Sequence, residues 1–395
     1  MTPLPPGALD GLRVLDLTRV LAGPSATQIL GDLGADVVKV ERPGVGDDTR
    51  RWGPPYLRDD DGNETTESAY YLSANRNKRS LALDFTTEDG LRTLKRLIAK
   101  ADVLVENFKV GDLERRGLSY SDLSDELPCL IYCSITGFGQ TGPYAERAGY
   151  DFLIQGMGGI MALTGEPAGE PMKVGVAIAD LMAGMYTAVG ILAALNHRHR
   201  TGKGQHIDIS LLDCQVAWLS NAGQYYLTSG EPTPRLGNAH PMIVPYQVFA
   251  TSDGHLILAI GNHEQFRRFC DVAGRAELAD DPRFTDNADR VRYRDELVPI
   301  VADLIAQHPR DWWLAALKAK GVPCGPINTM AQVFADPQVQ AREMAIEMQH
   351  PLSSTPTKLI GSPLKLSETP PSYRRAPPAC GADSEAVLAD WLGDT

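Results

Sequence analysis

The chain has 395 residues, of which 43% are hydrophobic, and its 50 acidic against 38 basic residues leave a net charge of −12. A chain of this length and apolar content buries a large core, and about two or three domains are expected. The acidic balance argues against the broad basic face that nucleic-acid binding requires, so no nucleic acid is expected as a partner.

The N-terminal stretch "MTPLPPGALDGLRVLDLT" has neither the basic nor the apolar segment of a secretory signal, and no uninterrupted apolar stretch reaches the length of a membrane span. We therefore expect a cytoplasmic protein without a membrane partner. The six cysteines are scattered, and only Cys129 and Cys133 are close in sequence. Because no second pair or His cluster accompanies them, we expect buried free thiols and predict no metal site.

The first half of the chain alternates β-rich runs with helical segments. "LRVLDLT", the loop "RVLAGP", the helical "SATQILGDLG" and the β-rich "ADVVKVERP" predict a βαβ unit with parallel strands. "SLALDF", "DVLVENF" and "LIYCSITGF" are typical of further strands between helices. The pattern predicts a doubly wound, Rossmann-like α/β fold, in which ligands bind at the carboxyl ends of the strands. The candidate ligand loops are therefore "RVLAGP", "VERPG", "ENF" and "ITGFGQTGP".

The loop after the first predicted strand, "TRVLAGPSA", lacks the G-x-G-x-x-G pattern of dinucleotide-binding loops. An NAD-dependent oxidoreductase is therefore a weaker alternative. Gly23 and Pro24 precede a predicted helix, whose free N–H groups are suitable for an anion or a carbonyl oxygen. An ordinary turn between strand and helix explains these two residues equally well.

The middle of the chain contains the apolar run "KVGVAIADLMAGMYTAVGILAAL", in which Asp180 is the single acidic residue. "KVGVAIA" is strand-like and residues 181–200 predict a helix, so Asp180 lies at a predicted strand-to-helix junction. A charged carboxylate left buried and unpaired there costs several kcal/mol. Helix capping is the simplest explanation, because aspartate is favoured at the N-cap. Alternatively, a rigidly held carboxylate points into a cleft and acts as a nucleophile toward an activated acyl carbon.

The composition changes beyond Tyr225, where a turn-rich segment precedes "QVFATSDGHLILAIGN", a predicted hairpin that turns at Asp253 and Gly254. Helices follow, and "DWWLAALKAKGVPCGPIN" ends in a strand-like return. We therefore predict a large α/β domain over residues 1–224, to which residues 325–395 return, and a smaller α+β domain over residues 225–324. The last helix, "SEAVLADWL", is expected to dock on one of the domains.

Several stretches, in chain order, carry a family resemblance. With "LDLTRVLAGPSATQILGDLGADVVKVERPGVGDDTR", "NRNKRSLALD", "ADVLVENF", "ITGFGQTGPY" and "VGVAIADLMAGMY", the chain resembles the class III CoA-transferases of the CaiB/BaiF type, which include α-methylacyl-CoA racemases. "AHPMIVPYQVF", "IGNHEQF" and "GVPCGPINTM" are similar to the branch that uses succinyl-CoA and glutarate. The resemblance implies a large CoA-binding α/β domain, a smaller domain, and two ring-like chains interlocked as a homodimer.

The resemblance also implies that Asp180, in "IADLMAG", is the nucleophile. Its carboxylate would attack the donor thioester to form a mixed anhydride and free CoA thiolate. The thiolate would return to form an aspartyl-CoA thioester, and the acceptor carboxylate would repeat the exchange in reverse. A carboxylate of ordinary low pKa is ionised at neutral pH without a helper base. Backbone donors for the oxyanion are implied at Gly261 and Asn262 in "AIGNHEQ", for which a plain hairpin end is the alternative.

The same motif match implies a set of CoA-binding residues. Arg42 would flank the adenine and Arg115 would meet a phosphate. The full set is Val20, Arg42, Asn75, Lys78, Asn107, Phe108 and Arg115. Asn75 and Lys78 belong to the cationic loop "NRNKRS", which is either the rim of a ligand site or a solvated turn. CoA is expected as a substrate, with neither a metal nor a redox cofactor.

Two departures from the family pattern bear on the reaction. The racemases carry a His-Asp pair where this chain has Tyr150 and Asp151, and a tyrosine with an ordinary pKa near 10 cannot easily exchange an α-proton at neutral pH. The formyl-CoA and oxalate enzymes carry Gln at the position of Leu21. We therefore expect an acceptor longer than oxalate.

The predicted function is transfer of CoA from succinyl-CoA to a dicarboxylate such as glutarate. A dicarboxylate needs a cation for its far carboxylate, and Arg19, Arg235 and His240 are the candidates, although each could equally be a surface residue. The alternatives are an α-methylacyl-CoA racemase, a formyl-CoA or carnitine-type CoA-transferase, and a CoA-binding protein that kept the fold but lost turnover.

Overall fold

The computed structural model describes residues 6–393, so the outermost residues of the predicted large domain, 1–5 and 394–395, lie outside the described part. The chain divides into two compact units. The first comprises Met1–Ile160, Lys173–Gly230 and Pro337–Thr395, and the second comprises Met161–Met172 and Glu231–Asp336. The boundaries predicted after residues 224 and 324 stay predictions about which segments fold independently.

The strands of the described chain are β1 (Arg13–Asp16), β2 (Asp36–Glu41), β3 (Tyr56–Arg58), β4 (Glu64–Ser68), β5 (Lys78–Ala82), β6 (Val103–Glu106), β7 (Ile131–Thr136), β8 (His206–Ser210), β9 (Tyr246–Ala250), β10 (His255–Ala259), β11 (Cys324–Pro326), β12 (Ala345–Met348) and β13 (Thr357–Ile360).

The α-helices are α1 (Ala22–Asp32), α2 (Ala69–Ser73), α3 (Glu88–Ile98), α4 (Tyr120–Leu123), α5 (Asp151–Met157), α6 (Ile160–Leu163), α7 (Ile178–Thr201), α8 (Leu211–Ala217), α9 (Ser220–Ser229), α10 (His263–Val272), α11 (Asn287–Arg292), α12 (Arg294–Ile305), α13 (Arg310–Ala319), α14 (Met330–Ala335), α15 (Pro337–Ala341) and α16 (Ser384–Leu392). Short 3-10 helices lie at Asp48–Arg51, Glu114–Arg116 and Ala276–Ala279.

The first unit is built on a six-stranded sheet in the order β5-β2-β1-β6-β7-β8, and each pair of neighbours is parallel. From β1 the chain moves outward to β2 and β5, and it then returns to build β6, β7 and β8 on the other side. The winding direction therefore reverses between β1 and β6. Loops diverge at such a switch point and leave a crevice for ligands. The predicted doubly wound α/β fold is confirmed.

Side chains of the central strands alternate between two apolar cores. Val14 belongs to the core covered by α1 and α7, whereas Leu15 belongs to the core covered by α3 and α16. Both are fully buried, as strands covered by helices on both faces require. Burial of each such side chain contributes about 1.5–3 kcal/mol to folding. The helices thus hold the strand ends, and the loops that follow them, in fixed positions.

The predicted docking of the last helix is confirmed. Trp391 of α16 is buried against the first unit, and its Nε1 donates a hydrogen bond to Asp36 Oδ2 at 2.9 Å. Arg79 forms an ion pair with Asp390 of the same helix at 3.0 Å. The C-terminal segment therefore covers the face of the sheet on which α3 also packs.

The second unit contains a three-stranded antiparallel sheet in the order β11-β10-β9. The predicted hairpin is confirmed, and Thr251 N donates to Gly254 O at 2.9 Å across its turn. Residues 161–172, which the sequence places in the large domain, contact this unit: Gly237 N donates to Gly165 O at 3.1 Å.

The helix α7 is long and apolar enough to cross a membrane by length and composition alone. Half of its most apolar window is buried by other parts of the described chain. A core helix passes the same test, and the packing of α7 against α1 and the sheet is that of a core helix.

Candidate active site

Two adjoining cavities of the first unit, with volumes of about 490 and 570 Å³, open near the switch point between β1 and β6. We call them the Arg42 cavity and the Asp180 cavity, after a residue that lines each one. They share part of their walls, and we call them together the cleft; the shared residues are Arg19, Asp48, Phe108, Asp112 and Arg115.

The cleft brings together most of the residues predicted for the site in the first unit: Arg19, Val20, Arg42, Asn107, Phe108, Arg115 and Asp180. Asn107 follows β6 and fastens the loop after β1, because its Oδ1 accepts from Arg19 N at 3.0 Å and its Nδ2 donates to Arg19 O at 2.8 Å. This amide therefore joins the two chain segments that diverge at the switch point.

The rim of the cleft carries arginines whose side chains are open to solvent. Arg19 pairs with Asp48 at 3.1 Å, and its guanidinium lies 5.6 Å from the centre of the Phe108 ring. Arg115 pairs with Asp112. Exposed pairs of this kind contribute little to stability and can exchange their carboxylate for a phosphate group. The rim is therefore chemically suited to a phosphorylated ligand.

Val20 has a left-handed backbone conformation, with φ of 72°. This conformation is strained for a β-branched residue, and such residues cluster at functional sites. The Val20 N–H group donates to both carboxylate oxygens of Asp47, at 3.3 Å each. Asp47 was not identified from the sequence, although Asp47-x-Thr49 has the form of a local cap and Thr49 N does donate to Asp47 Oδ1.

The structure places Asn75 and Lys78 inside the first unit, where neither lines the cleft. Lys78 Nζ donates to Asn75 Oδ1 at 2.9 Å and to Asp16 Oδ2 at 3.2 Å. Burial lowers the pKa of Lys78 to about 8 against the opposing effect of Asp16. The loop "NRNKRS" is thus neither a solvated turn nor a rim of free cations, because the buried Asp16 carboxylate requires a positive partner.

The predicted strand before Asp180 is wrong, because residues 173–177 form no strand. The fully buried side chain of Gln155 bonds this segment instead: its Oε1 accepts from Val174 N at 2.8 Å and its Nε2 donates to Val176 O at 3.3 Å. One glutamine therefore satisfies backbone groups that a neighbouring strand would otherwise satisfy. The apolar run suggested a strand because hydrogen bonding by a side chain that is distant in sequence leaves no local pattern.

The helix-cap interpretation of Asp180 is also wrong. Helix α7 begins at Ile178, so Asp180 lies inside its first turn. Asp151, at the start of α5, supplies the cap from outside the helix, since its Oδ1 accepts from Ala179 N at 2.8 Å and lies 3.4 Å from Asp180 N. The Asp180 carboxylate is therefore free of a capping role and lines the cleft.

The electrostatic environment of Asp180 differs from the expected one. Burial raises the pKa of Asp180 to about 7, and the Asp151 carboxylate adds to the rise. Among residues 6–393, no ion pair or hydrogen bond reaches the Asp180 carboxylate. The expectation of an ordinary low pKa is corrected, because burial and the Asp151 charge both favour the protonated form of Asp180.

Sequence reasoning missed Tyr70, which lies near Asp180, and Arg147, which lines the same cavity. Burial raises the pKa of Tyr70 to about 12, with Asp180 as the largest further contribution, and the Tyr70 ring packs edge-on against Trp52 at 5.3 Å between centroids. Arg147 lines the Asp180 cavity and lies 4.5 Å from the centre of the Tyr144 ring. Neither position shows a local motif; "ITGFGQTGPY" ends at Tyr144 and could have drawn attention to Arg147.

Gly261 and Asn262 lie in the second unit, at the start of α10. Asn262 is the N-cap of that helix and accepts from Gln265 N at 2.9 Å, and Gly261 N donates to Gln265 Oε1 at 2.8 Å. Both backbone and side-chain groups therefore serve the helix start. Their role as oxyanion donors stays a prediction.

Arg235 and His240 also lie in the second unit. Arg235 Nη1 donates to Gly169 O at 2.8 Å, whereas its Nε is buried and has no hydrogen-bond partner in the described chain. His240 Nδ1 accepts from Met242 N at 3.1 Å. The assignment of either residue to the far carboxylate of a substrate stays a prediction.

Comparison with known proteins identifies the family. A family model described as CoA-transferase family III matches residues 9–384. The succinate–glutarate CoA-transferase of Agrobacterium fabrum is 50% identical over 383 residues, which are 97% of this chain and 95% of that protein. The succinyl-CoA:glutarate CoA-transferase of Homo sapiens is 44% identical over 384 residues, which are 97% of this chain and 86% of that protein.

A solved structure agrees with this result. The crystal structure of a CAIB/BAIF family protein from Brucella suis is 49% identical and superposes with a TM-score of 0.87, covering 98% of this chain and 100% of that one. By sequence over nearly its whole length and by fold, the chain belongs to CoA-transferase family III and is a CoA-transferase.

Proposed function

We propose that the enzyme transfers CoA from succinyl-CoA to a dicarboxylate such as glutarate, with Asp180 as the nucleophile. The relatives named above support the choice of donor and acceptor. The observation that carries the assignment of Asp180 is its isolated carboxylate, which lines a cleft whose rim holds Arg19 and Arg115. A structural aspartate would instead have a cap or a cation to bind.

The reaction needs two exchanges at one carboxylate. An Asp180 oxygen attacks the thioester carbon, and the carbon–sulfur bond breaks to give a mixed anhydride and the CoA thiolate. The thiolate attacks the aspartyl carbonyl carbon, and succinate leaves with one aspartyl oxygen. The acceptor carboxylate then attacks the aspartyl-CoA thioester, and the released thiolate attacks the acceptor's carbonyl carbon. Asp180 is regenerated with one oxygen from the acceptor, and no proton or electron is consumed.

The raised pKa of Asp180 favours this chemistry. A carboxylate with a pKa of about 7 is a stronger base than an ordinary aspartate, and nucleophilicity rises with basicity. An anhydride at Asp180 must also be protected from water, which would hydrolyse it. A smaller fraction of Asp180 than of an ordinary aspartate is therefore ionised at neutral pH, but the ionised carboxylate is more reactive.

The far carboxylate of the dicarboxylate needs a cation. Arg19 shares the Asp180 cavity, so we place it first, ahead of Arg235 and His240 in the second unit. Replacing Arg19 with Gln should raise KM for glutarate more than KM for pentanoate, which has the same chain length and one carboxylate. An equal change for both acids would indicate a different cation: Arg115 or Arg147 of the same cavity, or Arg235 or His240 of the second unit.

The racemase alternative is not favoured. Tyr150, which stands at the position of the racemase histidine, is exposed over 68% of its surface and precedes α5. The similar proteins named above are transferases. A racemase would exchange the α-hydrogen of a 2-methylacyl-CoA with deuterated water, and we expect no such exchange.

A second copy of the chain is proposed as the partner. Helices α5, α7, α8 and α9 of the first unit, with Trp218 between the last two, leave large apolar side chains exposed, as surfaces that bind another protein chain do. They are Phe152, Leu153, Met157, Met185, Tyr186, Val189, Leu192, Val216, Trp218, Tyr225, Tyr226 and Leu227. Light scattering at micromolar concentration should give twice the mass of one chain. A monomer would contradict the homodimer. A cytoplasmic location is proposed separately.

The proposed function is tested by incubating the enzyme with succinyl-CoA and a panel of C2 to C6 mono- and dicarboxylates, with new thioesters identified by mass. We expect glutaryl-CoA from the wild type and none from Asp180→Ala. Asp213→Ala, which removes an acid from the first turn of α8, is the matched control and should retain transfer. Failure to form a thioester with any acceptor, or full activity of Asp180→Ala, would overturn the proposal.

A further inference from the structure

The loop between β1 and α1, which forms part of the wall of the Asp180 cavity, is fastened by buried charges. Asp16 Oδ1 accepts from Thr18 N at 2.9 Å and from Thr18 Oγ1 at 2.5 Å. Lys39 Nζ donates to Thr18 O at 2.7 Å. The backbone of Thr18 is therefore bonded from two sides before the chain enters the cavity wall at Arg19.

The next attachment is made at the strained residue. Asp47 accepts the Val20 N–H group and forms an ion pair with Lys39 at 2.8 Å; both charged side chains are 0% exposed. Because a buried ion pair is often no more stabilising than apolar residues of similar volume, a second role for this pair is reasonable. Its position suggests that the role is to keep Val20 in its left-handed conformation.

The conformation of Val20 bears directly on the turn that carries Asp180. Helix α1 begins at Ala22, immediately after Val20 and Leu21. On α7, Gly184 lies one helical turn after Asp180, and a Cβ atom at Gly184 would be only 2.8 Å from Ala22 O. The backbone of α1 therefore packs directly on the α7 turn next to Asp180, and any shift at Val20 moves this contact.

On the basis of the function proposed above, we propose that the Lys39–Asp47 ion pair is a positioning element for catalysis: it holds Val20 in the left-handed conformation and thereby keeps the start of α1 against the Asp180 turn of α7. Lys39 and Asp47 do not line the Asp180 cavity; both line the adjoining Arg42 cavity, but their side chains are 0% exposed and cannot touch a ligand there. The pair therefore acts through Val20. Without it, Val20 relaxes to a negative φ and the wall beside the nucleophile moves.

The main test replaces the ion pair by apolar residues of similar size, Lys39→Met with Asp47→Leu, which avoids leaving one charge unpaired. The kcat for succinyl-CoA-dependent glutaryl-CoA formation should fall roughly tenfold to a hundredfold, as expected for a small misplacement of a reacting group, while KM for succinyl-CoA changes little. Adding Val20→Gly should restore most of the lost kcat, because glycine adopts the left-handed conformation without a tether.

Two controls separate positioning from simple structural support. Asp32→Leu with Arg76→Met removes another buried ion pair of the same unit, at 2.5 Å and outside the cleft. Adding Val20→Gly to this variant should not raise its kcat. Asp47→Asn keeps an acceptor for the Val20 N–H group but removes the ion pair with the buried Lys39, so kcat should fall less than in the double replacement. The conservative variant thus tests the hydrogen bond apart from the charge.

A second variant covers the case in which the ion-pair replacement does not fold. Val20→Pro leaves Lys39 and Asp47 intact but bars a positive φ and removes the N–H group, so kcat should fall as it does without the ion pair. Full activity of Val20→Pro, or the absence of rescue by Val20→Gly, would overturn the inference. A wild type that forms no glutaryl-CoA would overturn the proposed function instead.

Discussion

Two regions of the first unit surround their carboxylates with contrasting charges. Beneath the ends of β1, β2 and β5, each acid has a buried cation: the pairs are Asp16–Lys78, Asp47–Lys39 and Glu41–Arg50. At the start of α7, Asp151 and Asp180 lie close together, and no cation pairs with either within residues 6–393. The first arrangement fixes a backbone, whereas the second leaves a carboxylate available for reaction.

The pKa values of Asp47 and Asp180 show the same contrast. Burial alone would raise the pKa of Asp47, but Lys39 and the Thr49 hydrogen bonds bring it down to about 2. Burial raises the pKa of Asp180 to about 7, and its charged neighbour, which is another carboxylate, adds to the rise instead of opposing it. The contrast teaches that burial by itself does not distinguish a structural acid from a reactive one. Between Asp47 and Asp180, the difference is the presence or absence of a cation.

The largest expected effect is the loss of transfer on removal of the unpaired carboxylate. Asp180→Ala should lower kcat for glutaryl-CoA formation by at least ~10⁴-fold, as is typical when a covalent nucleophile is removed. Affinity for CoA, measured by calorimetry, should stay close to that of the wild type. A variant that kept a tenth of the wild-type kcat would mean that Asp180 belongs with the structural acids.

The paired region should respond in stability. Arg50 lies between Glu41, at 2.8 Å, and Glu67, at 2.6 Å, and all three side chains are buried. Arg50→Ala leaves two buried carboxylates without a cation and should lower the free energy of unfolding by about 3–5 kcal/mol. The control Arg58→Ala removes an exposed pair with Glu64 and should cost less than about 1 kcal/mol. Equal losses of unfolding free energy for the two variants, measured by chemical denaturation, would contradict the stabilising role of the buried pairs.

Removal of the charge from the unpaired region should instead raise the free energy of unfolding. Because Asp180 has a higher pKa in the folded than in the unfolded chain, the folded state binds more protons between pH 4 and 7, and stability falls as pH rises through that window. Asp180→Asn removes this cost. The variant should be more stable than the wild type by on the order of 1–3 kcal/mol at pH 8, and no more stable at pH 4.

The control for that measurement is Asp213→Asn, also in the first turn of a helix. It removes only a favourable interaction with the helix dipole and should destabilise by about 0.3–1 kcal/mol. Destabilisation of Asp180→Asn at pH 8 would indicate that the Asp180 carboxylate has a stabilising partner in solution.

The smallest effect concerns the carboxylate next to the nucleophile. Asp151→Asn removes the negative charge but keeps an oxygen that can accept from Ala179 N. The rate of the donor half-reaction should rise with pH through about 7 in the wild type, because the ionised Asp180 reacts. In the variant, this midpoint should move down by about half a pH unit to one unit. An unchanged profile would show that burial alone sets the pKa of Asp180.

The sequence predicted the parallel sheet and the loops that form the cleft because these depend on local patterns. "LRVLDLT" and "DVLVENF" are short β-rich runs followed by turn residues, and the carboxyl ends of such strands meet at one edge of a sheet. The cap of α7 could not be predicted in the same way. It joins Asp151 to Ala179, 28 residues apart, and depends on how α5 and α7 pack.

Lys78 illustrates the second limit. A lysine in "NRNKRS" has the local appearance of a solvated turn or a ligand rim, yet it is fully buried because Asp16 lies beneath it. Pairing between distant charges is decided by tertiary packing and leaves no trace in spacing. The same holds for Asp47, whose partner Lys39 belongs to another element.

The most direct test of the central claim uses oxygen labelling. When the acceptor is glutarate labelled with ¹⁸O at both carboxylates and the donor is succinyl-CoA, the proposed exchange transfers one ¹⁸O atom to the Asp180 carboxylate in a single turnover. Mass spectrometry of the proteolytic peptide that contains Asp180 should show a gain of about 2 Da that localises to this residue. Formation of glutaryl-CoA with no label at Asp180 would contradict the account.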